Sequence, residues 1–309
     1  MLADAPPSAR GWRRGAPNDV PVSTVEAPAK INLTLEILAR RDDGYHALRS
    51  VMVPIGLRDE LTFTPAPAFA FACDPPALGD DNLVTRALKQ IGLEQAPLAV
   101  SLRKHIPVGA GLGGGSSDAA AVLLAAMRGA FGPLPPRDWV VDARALGSDV
   151  PFFLVDGPAL VEGTGERVTA LGSAPPWWVV VAVPAVAVAT AAAYRALAAS
   201  RANAPPPSRP RSASASIRCG EALQRGDYDA VLAAMVNDFE ALVADAYPPV
   251  RATLDALAAA GADRAMLSGS GSACFTLTRD ERSARDIAQR MPTGSRVHTV
   301  AFAESLAWR

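Results

Sequence analysis

Residues 104–127 constrain this chain more than any other stretch. Lys104-His105-Ile106-Pro107-Val108-Gly109-Ala110-Gly111-Leu112-Gly113-Gly114-Gly115-Ser116-Ser117-Asp118 runs straight into the apolar segment Ala119 to Met127. Glycines adopt positive φ and let the backbone approach a ligand closely. Ser116, Ser117 and Asp118 are helix-opening residues, and the Ala/Leu-rich run behind them is a strong helix former. A glycine loop feeding a helix N-terminus gathers N–H donors at the positive end of a dipole, which suits an anion and above all a phosphate. A flexible Gly/Ser linker accounts for the stretch less well, because linkers do not continue into an uncharged, patterned helix.

Several kinds of glycine loop compete for this pattern. Gly109, Gly111 and Gly114 satisfy G-x-G-x-x-G. A dinucleotide fold also wants a strand leading directly into the loop and an acidic residue roughly twenty positions later. Here Pro107 precedes the loop, and the later region is Pro133-Leu134-Pro135-Pro136. A P-loop needs Lys and then Ser/Thr after its last glycine, whereas Gly115 stands directly before Ser116. Protein kinases carry H-R-D and D-F-G downstream, and neither occurs.

With 309 residues, 50% of them hydrophobic and 20% charged, the chain can bury a sizeable core in one or two domains. A formal net charge of −1 gives no reason to expect nucleic acid or an anionic membrane as a partner. Cys73, Cys219 and Cys274 are scattered and odd in number, which reads as a reduced cytoplasmic protein without disulfides or a zinc site. His46, His105 and His298 are not spaced as metal ligands either. Trp177 to Tyr194 is uncharged and as long as the shortest membrane spans, but Pro184 interrupts it. It reads instead as a strand Trp177–Val183, a turn Pro184–Ala189 and a helix from Thr190. Arg10, Arg13 and Arg14 are followed by no apolar run, so no secretory signal is expected.

The first 20 residues, rich in Ala, Pro, Gly and Arg, read as a disordered tail. From Ile31 to Ile37 apolar and polar residues alternate, which predicts a half-buried strand. Arg41-Asp42-Asp43-Gly44 signals a turn. Strands are expected at His46–Ile55, Asp59–Thr64, Leu98–Arg103 and Ala159–Gly163, and helices at Asn82–Gly92 and Asp138–Leu146. Asp149 is placed to accept a proton from a substrate or to cap a short helix, and the pattern alone leaves both open. Ser173-Ala174-Pro175-Pro176 marks a boundary between domains at 21–173 and 174–309. In the second, helices are expected at 220–225, 228–244, 249–260 and 281–290. Met266–Leu277 reads as strand, glycine turn and strand, and 296–302 as a last strand. The Pro/Ser/Arg-rich stretch Arg201–Ser216 reads as a mobile loop that packs against nothing.

Pro107-x-Gly-x-Gly-Leu-Gly-x-Gly-Ser-Ser resembles the ATP loop of the GHMP small-molecule kinases. Three more stretches extend the resemblance from about Val25 to the C-terminus: Pro28-Ala29-Lys30-Ile31-Asn32, Leu146-Gly147-Ser148-Asp149-Val150-Pro151, and Ser268-Gly269-Ser270-Gly271-Ser272. Gly44-Tyr45-His46 is similar to the motif of the cytidine-specific branch from isoprenoid biosynthesis. The resemblance implies an α+β GHMP kinase fold, with a ribosomal-S5-domain-2-like N-terminal domain and a ferredoxin-like C-terminal one. It implies a cytoplasmic enzyme, monomer or weak homodimer, that uses ATP and Mg²⁺ to phosphorylate the 2-hydroxyl of a small-molecule cytidyl diphosphate substrate.

By the same resemblance Asp149 is the catalytic base and Lys30 steadies the transferring charge. Pro107, Val108, Gly109, Ala110, Gly111, Leu112, Gly113, Gly114, Gly115, Ser116 and Ser117 would bind ATP, with Lys104 and Asn82 beside its base. Asn32, Tyr45, His46, Gly269, Ser270 and Gly271 would meet the substrate, and Ser116 or Ser117 the metal. Ala185–Thr190 departs from the pattern, lacking the aromatic expected near a cytidine. Homoserine- or mevalonate-type kinases fit less well because of Tyr45 and His46. A silent nucleotide sensor on the same fold would need no base.

Overall fold

A computed structural model describes residues 23–40, 46–76, 78–79, 81–201, 214–303 and 307–308. Tyr45, the turn 41–44, the N-terminal stretch 1–20 and residues 202–213 lie outside the described residues. The first half supplies β1 (Ser23–Asn32), β2 (Thr34–Arg40), β3 (His46–Pro65), β4 (Ala70–Asp74), α1 (Leu83–Gln90), β5 (Leu98–Arg103), α2 (Gly114–Met127) and α3 (Trp139–Leu146). A 3₁₀ turn at Pro151–Leu154, β6 (Ala159–Gly163) and β7 (Arg167–Ala170) complete it. The second half supplies β8 (Trp178–Pro184), α4 (Thr190–Arg201), α5 (Ala215–Gln224), α6 (Tyr228–Ala234), β9 (Val236–Asn237), α7 (Glu240–Ala246) and α8 (Pro248–Ala259). It ends with β10 (Ala265–Leu267), β11 (Cys274–Thr278), α9 (Glu281–Arg290), β12 (Ser295–Ala301) and β13 (Ala307–Trp308).

The larger sheet is built on β3, which pairs with β1, β2, β5 and β6 along its length. The smaller sheet is antiparallel, in the order β10-β11-β8-β12. Ala29, Ile31, Val51 and Val53 of the larger sheet pack against Val179, Val181 and Phe275 of the smaller, with residues of α5 and α6 in the same layer. The opposite face of the larger sheet buries Leu61, Phe63 and Leu102 under α1 and α2, and that of the smaller packs on α8 and α9. The fold is therefore α+β: α1 and α2 cover one face of the larger sheet, α5 packs on its other face, and α8 and α9 cover the outer face of the smaller. The halves interlock: β9 pairs with β2 and β13 with β1, so two strands from beyond residue 173 belong to the first sheet. Among the described residues no helix is long and apolar enough to cross a membrane.

Several expectations are corrected. The strand foreseen at 31–37 is two strands broken at Leu33, and both of its faces are buried: Asn32, Thr34 and Glu36 are as sealed as their apolar neighbours. Alternation marks a solvated face only where the polar residues meet water, and these three meet buried partners instead. The strands foreseen at 46–55 and 59–64 are one strand, which continues past an irregularity opposite Pro28 and Ala29. The helix foreseen at 228–244 is interrupted because Val236 and Asn237 leave it to pair with Thr34 and Leu35. Helix α2 opens at Gly114, two residues before the serines. Asp149 caps nothing; Val150 precedes the 3₁₀ turn without a side-chain cap.

The stretch 201–216 is anchored at both ends to β2. Arg201 ends α4 and donates to the Ile37 carbonyl at 2.8 Å and to Asp238 at 2.8 Å. Ser214 caps α5, and its hydroxyl, the Ser216 hydroxyl (2.7 Å) and the Ser216 N–H (3.0 Å) all donate to Glu36. Burial works to raise the Glu36 carboxyl, but the Ser214 and Ser216 bonds outweigh it and hold it below the ordinary value of 4.5. That contribution to stability is present above about pH 4.5 and fades as pH falls through the lower folded value. Hydrogen bonds to a charged group contribute about 1.5–3 kcal/mol each. Deleting 201–216 and closing the gap is therefore expected to cost about 3 kcal/mol or more in a urea melt at neutral pH. An unchanged midpoint would show that the Glu36 anchor contributes nothing.

Candidate active site

Lys30, near the end of β1, is 3% exposed. Its N–H donates to the Leu112 carbonyl at 2.9 Å, which fastens the strand to the glycine loop. Its ammonium donates to Asn32 Oδ1 at 2.7 Å and to the Gly111 carbonyl at 2.9 Å, and faces Asp149 Oδ2 at 3.6 Å. Asp149 keeps 29% of its side chain open. It stands just ahead of Pro151-Phe152-Phe153, whose burial anchors the turn.

The glycine loop is closed from the second half of the chain. Ala273 N–H donates to the Ala110 carbonyl at 3.0 Å, and Ser268 Oγ to the Gly111 carbonyl at 3.1 Å. Asn237 grips the same turn, donating to the carbonyls of Leu267 and Gly269 at 2.8 Å each. Gly111, at φ +79°, has no room for a side chain, since a Cβ there would lie 2.2 Å from the Ser268 carbonyl oxygen. A cavity of about 430 Å³ lies along residues 107–116, walled by Leu78, Leu83, Lys104 and Thr190. The N-terminus of α2 opens into it, so N–H donors and helix dipole meet there as an anion requires.

Ser116 is half-buried and lines this cavity, whereas Ser117 is sealed, with an Oγ that has no hydrogen-bond partner among the described residues. Asn82 caps α1: its Oδ1 accepts from Val84 and Thr85, and its amide donates to Gly79. It lines a smaller cavity of about 270 Å³ together with Leu78, Leu83 and Asp118. Lys104 is engaged with protein, its ammonium reaching both Asp59 and Asp118, the latter at 2.8 Å. Burial opposes the Lys104 charge, but Asp118 and Asp59 outweigh it and hold the ammonium above its usual value.

His46 opens β3 and stacks on Tyr194 of α4, with ring centroids 6.0 Å apart and planes 28° apart. Its Nδ1 is buried without a partner among the described residues. Burial first, and then the Asp149 charge, push the Tyr194 hydroxyl up to about 12. Thr190 and Ser270 join the two walls by a hydroxyl–hydroxyl contact of 2.9 Å. Sequence reasoning missed Tyr194, Asp59, Asp118 and Asn237. For Tyr194 there was a signal, a single aromatic in the alanine-rich run Thr190–Arg201. Among the described residues no group of His, Cys, Asp and Glu is arranged to hold a metal by itself.

Asp59, Lys104 and Asp118 place two carboxyl groups on one buried ammonium. Burial is the largest influence on Asp118; against the pull of Lys104 and with Asp59 beside it, the carboxyl is pushed up to about 8. A carboxyl raised on folding binds its proton more tightly in the folded chain. Its contribution to stability is full below about 3.8 and is lost as pH rises through about 8. Asp118→Asn, which keeps the shape without the charge, is expected to gain stability over the wild type as pH rises from about 5 to about 9. Urea melts at the two ends test this, and an equal difference at both would contradict it.

Comparison with known proteins places this geometry in a family. The GHMP kinases N terminal domain matches residues 82–157, and the GHMP kinases C terminal domain residues 221–295. A 4-diphosphocytidyl-2-C-methyl-D-erythritol kinase of Symbiobacterium thermophilum is 39% identical over 278 residues, 88% of this chain and 96% of that protein. One from Deinococcus radiodurans is 40% identical over 297 residues, covering 86% and 89%. A crystal structure of 4-(cytidine 5'-diphospho)-2C-methyl-D-erythritol kinase superposes with a TM-score of 0.73 at 35% identity, over 91% of this chain and 99% of that one. A homoserine kinase from Cytophaga hutchinsonii, at 19% identity, shares the fold with a TM-score of 0.68 over 97% and 100%. At this identity over nearly the whole length, the chain belongs to the 4-diphosphocytidyl-2-C-methyl-D-erythritol kinase family of the GHMP kinases.

Proposed function

We propose that the chain transfers the γ-phosphoryl group of ATP to the 2-hydroxyl of 4-diphosphocytidyl-2-C-methyl-D-erythritol. The products are the 2-phosphate and ADP, on the methylerythritol phosphate route to isoprenoid precursors. The observation that carries the reading is the buried Lys30 ammonium, tied to the glycine loop at Gly111 and facing the half-open carboxylate of Asp149 at 3.6 Å.

Phosphoryl transfer depends on positioning and on neutralising charge. The N–H groups of residues 109–116 and the N-terminus of α2 receive the ATP phosphates, with the base toward Leu78, Asn82 and Leu83. Lys104 stands at the wall and acts through Asp118 and Asp59. Lys30 keeps Asp149 ionised and balances charge that builds up on the group in transit. Asp149 accepts the proton of the 2-hydroxyl as its oxygen attacks phosphorus. Asn32, bonded to Lys30 and Ser50, holds the lysine rather than the substrate. Gly269 comes close to the ammonium, since a Cβ there would lie 3.4 Å from Lys30 Nζ, and the 269–271 turn closes the site from the second half.

Mg²⁺ would be held by Ser116, a hard oxygen donor facing the cavity, together with the ATP phosphates. When bound it neutralises phosphate charge. Tyr45, His46 and Tyr194 take the cytosine: a base stacks on the aromatic faces, and the unpartnered Nδ1 of His46 meets its polar edge. The unpaired cysteines agree with a cytoplasmic enzyme, which we place there as a monomer or weak homodimer.

The direct test is ADP release with four acceptors: the cytidyl substrate, mevalonate, homoserine and galactose. Turnover restricted to the first is expected, and preference for another would refute the specificity. Asp149→Asn is expected to reduce kcat by about 10²–10⁴-fold while ATP still binds. A variant keeping more than about a tenth of the turnover would remove Asp149 as the base. His46→Ala and Tyr194→Ala each remove a contact to the base worth about 1–3 kcal/mol. At about 1.4 kcal/mol per decade that is roughly ten- to hundredfold in kcat/KM for the cytidyl substrate, with the KM for ATP unchanged. Equal losses toward both substrates would make the pair structural.

A further inference from the structure

We propose that Ser50, Thr34 and Ser216 position the reactive lysine by acting through Asn32, which couples the N-terminus of α5 to phosphoryl transfer. This rests on Lys30 and Asp149 being the reacting pair. The five polar residues along this path from Asn32 to Glu36 are all buried, and their bonds form two runs that meet at Thr34, one ending on its carbonyl and one starting from its hydroxyl. Lys30 donates to Asn32 Oδ1 at 2.7 Å, and the Asn32 amide donates to Ser50 Oγ at 2.8 Å. Ser50 Oγ donates to the Thr34 carbonyl at 2.5 Å. The Thr34 hydroxyl accepts from Val51 N–H and donates to Ser216 Oγ, both at 2.8 Å. Ser216 Oγ donates to Glu36 Oε2 at 2.7 Å.

A hydroxyl has one proton, so within each run a donor determines what its neighbour can do, and the two runs are joined by the position of the Thr34 backbone. The Ser216 proton goes to the charged, nearer Glu36 oxygen rather than to the Arg49 carbonyl at 3.2 Å. Ser216 is then an acceptor for Thr34. Ser50 gives its proton to the Thr34 carbonyl, so it presents a lone pair to Asn32. The Asn32 amide can only turn its N–H toward Ser50, which leaves Oδ1 facing Lys30. The first run thus leads from the Lys30 ammonium to the Thr34 carbonyl, and the second fixes Thr34 against the Glu36 carboxylate. In a low-dielectric interior a hydrogen-bonded polar network of this kind specifies geometry more sharply than apolar packing does. What it fixes is the direction in which the Lys30 ammonium leaves β1 toward Asp149.

The test measures kcat per nucleotide-binding site for Ser50→Ala, Thr34→Val and Ser216→Ala, alone and combined with Asn32→Ala, with thermal melts alongside. Ser50→Ala is expected to lower kcat about tenfold or more, and Thr34→Val and Ser216→Ala by smaller factors, with the KM for ATP unchanged. Thr34→Ser, which restores the hydroxyl, is expected to recover turnover. In the Asn32→Ala background the three substitutions should have no further effect on kcat, since their influence passes through that amide. Thr34→Val keeps the side-chain shape and remains informative if Ser50→Ala folds poorly. Lower melting temperatures with unchanged kcat, or losses that multiply with that of Asn32→Ala, would overturn the coupling and leave a purely structural network. Asp149→Asn in the same series separates the two failures: if it keeps its turnover, both the reading of the site and this coupling fall. If it is inactive while the path variants are not, only the coupling falls.

Discussion

The arrangement of the molecule depends on the burial of one ammonium group. Removing an ion from water costs several kcal/mol even in a relaxed protein, so a lysine that is 3% exposed needs partners. Lys30 draws them from three segments far apart in sequence: Asn32 on its own strand, the Gly111 carbonyl in the glycine loop, and the Asp149 carboxylate. Each approach leaves its mark on the chain. Gly113, at φ +71°, lies where a Cβ would come within 2.9 Å of the Lys30 stem. Gly113 is therefore an absence of side chain that makes room for the lysine, while Gly111 is held to glycine by the Ser268 carbonyl. Flexibility has no part in that argument.

The same ammonium explains why the two halves of the chain interlock. Gly111 can offer its carbonyl to Lys30 only if the loop holds its shape, and that shape is held by the 268–273 turn through Ala110 and Gly111. The turn is held in its own place by Asn237, which reaches it by leaving a helix to join the first sheet beside Thr34 and Leu35. A two-residue strand thus ties the second half to the strand that follows Lys30. An isolated N-terminal half would keep the lysine and lose the brace on the carbonyl that receives it.

What could be read from the sequence follows from how local each signal is. The glycine loop announces itself within a few residues, because close backbone approach needs glycine at fixed spacing, whereas Lys30 and Asp149 stood out only through the resemblance of the short motifs around them. Strands β5 and β6 were legible through apolar runs bounded by turn residues. Residues 31–37 misled because a period of two says which residues share a face, and says nothing of whether that face meets water. Asn32, Thr34 and Glu36 look like a solvated edge and are the inner side of a polar seam. The serines at 214 and 216 misled for the matching reason: in a Pro/Ser/Arg-rich stretch they look like loop filler, while a carboxylate nearly two hundred residues away makes them structural. Tyr194 was hidden by its distance from Pro184, one helical turn beyond the stretch where an aromatic was sought.

The two buried lysines near the loop show how the same residue type is given different work. Lys30 faces one carboxylate whose side chain stays 29% open, so its charge is not fully spent within the protein. Lys104 faces two carboxyl groups, one of which also accepts the N–H groups of His105 and Ile106, so its charge is consumed within the protein. A Cβ on Gly114 would lie 3.1 Å from the Lys104 ammonium, so the loop is squeezed on this side as well. Lys30 and Lys104 thus bracket consecutive glycines at the start of α2. One faces the Asp149 carboxylate, and the other fixes the start of the helix through Asp118. A cation saturated by two carboxyls fixes a backbone well because nothing in the cavity can draw it away. Lys30, with one carboxylate that stays 29% open, has its charge less completely offset, which is why the proposed mechanism assigns the developing charge to it.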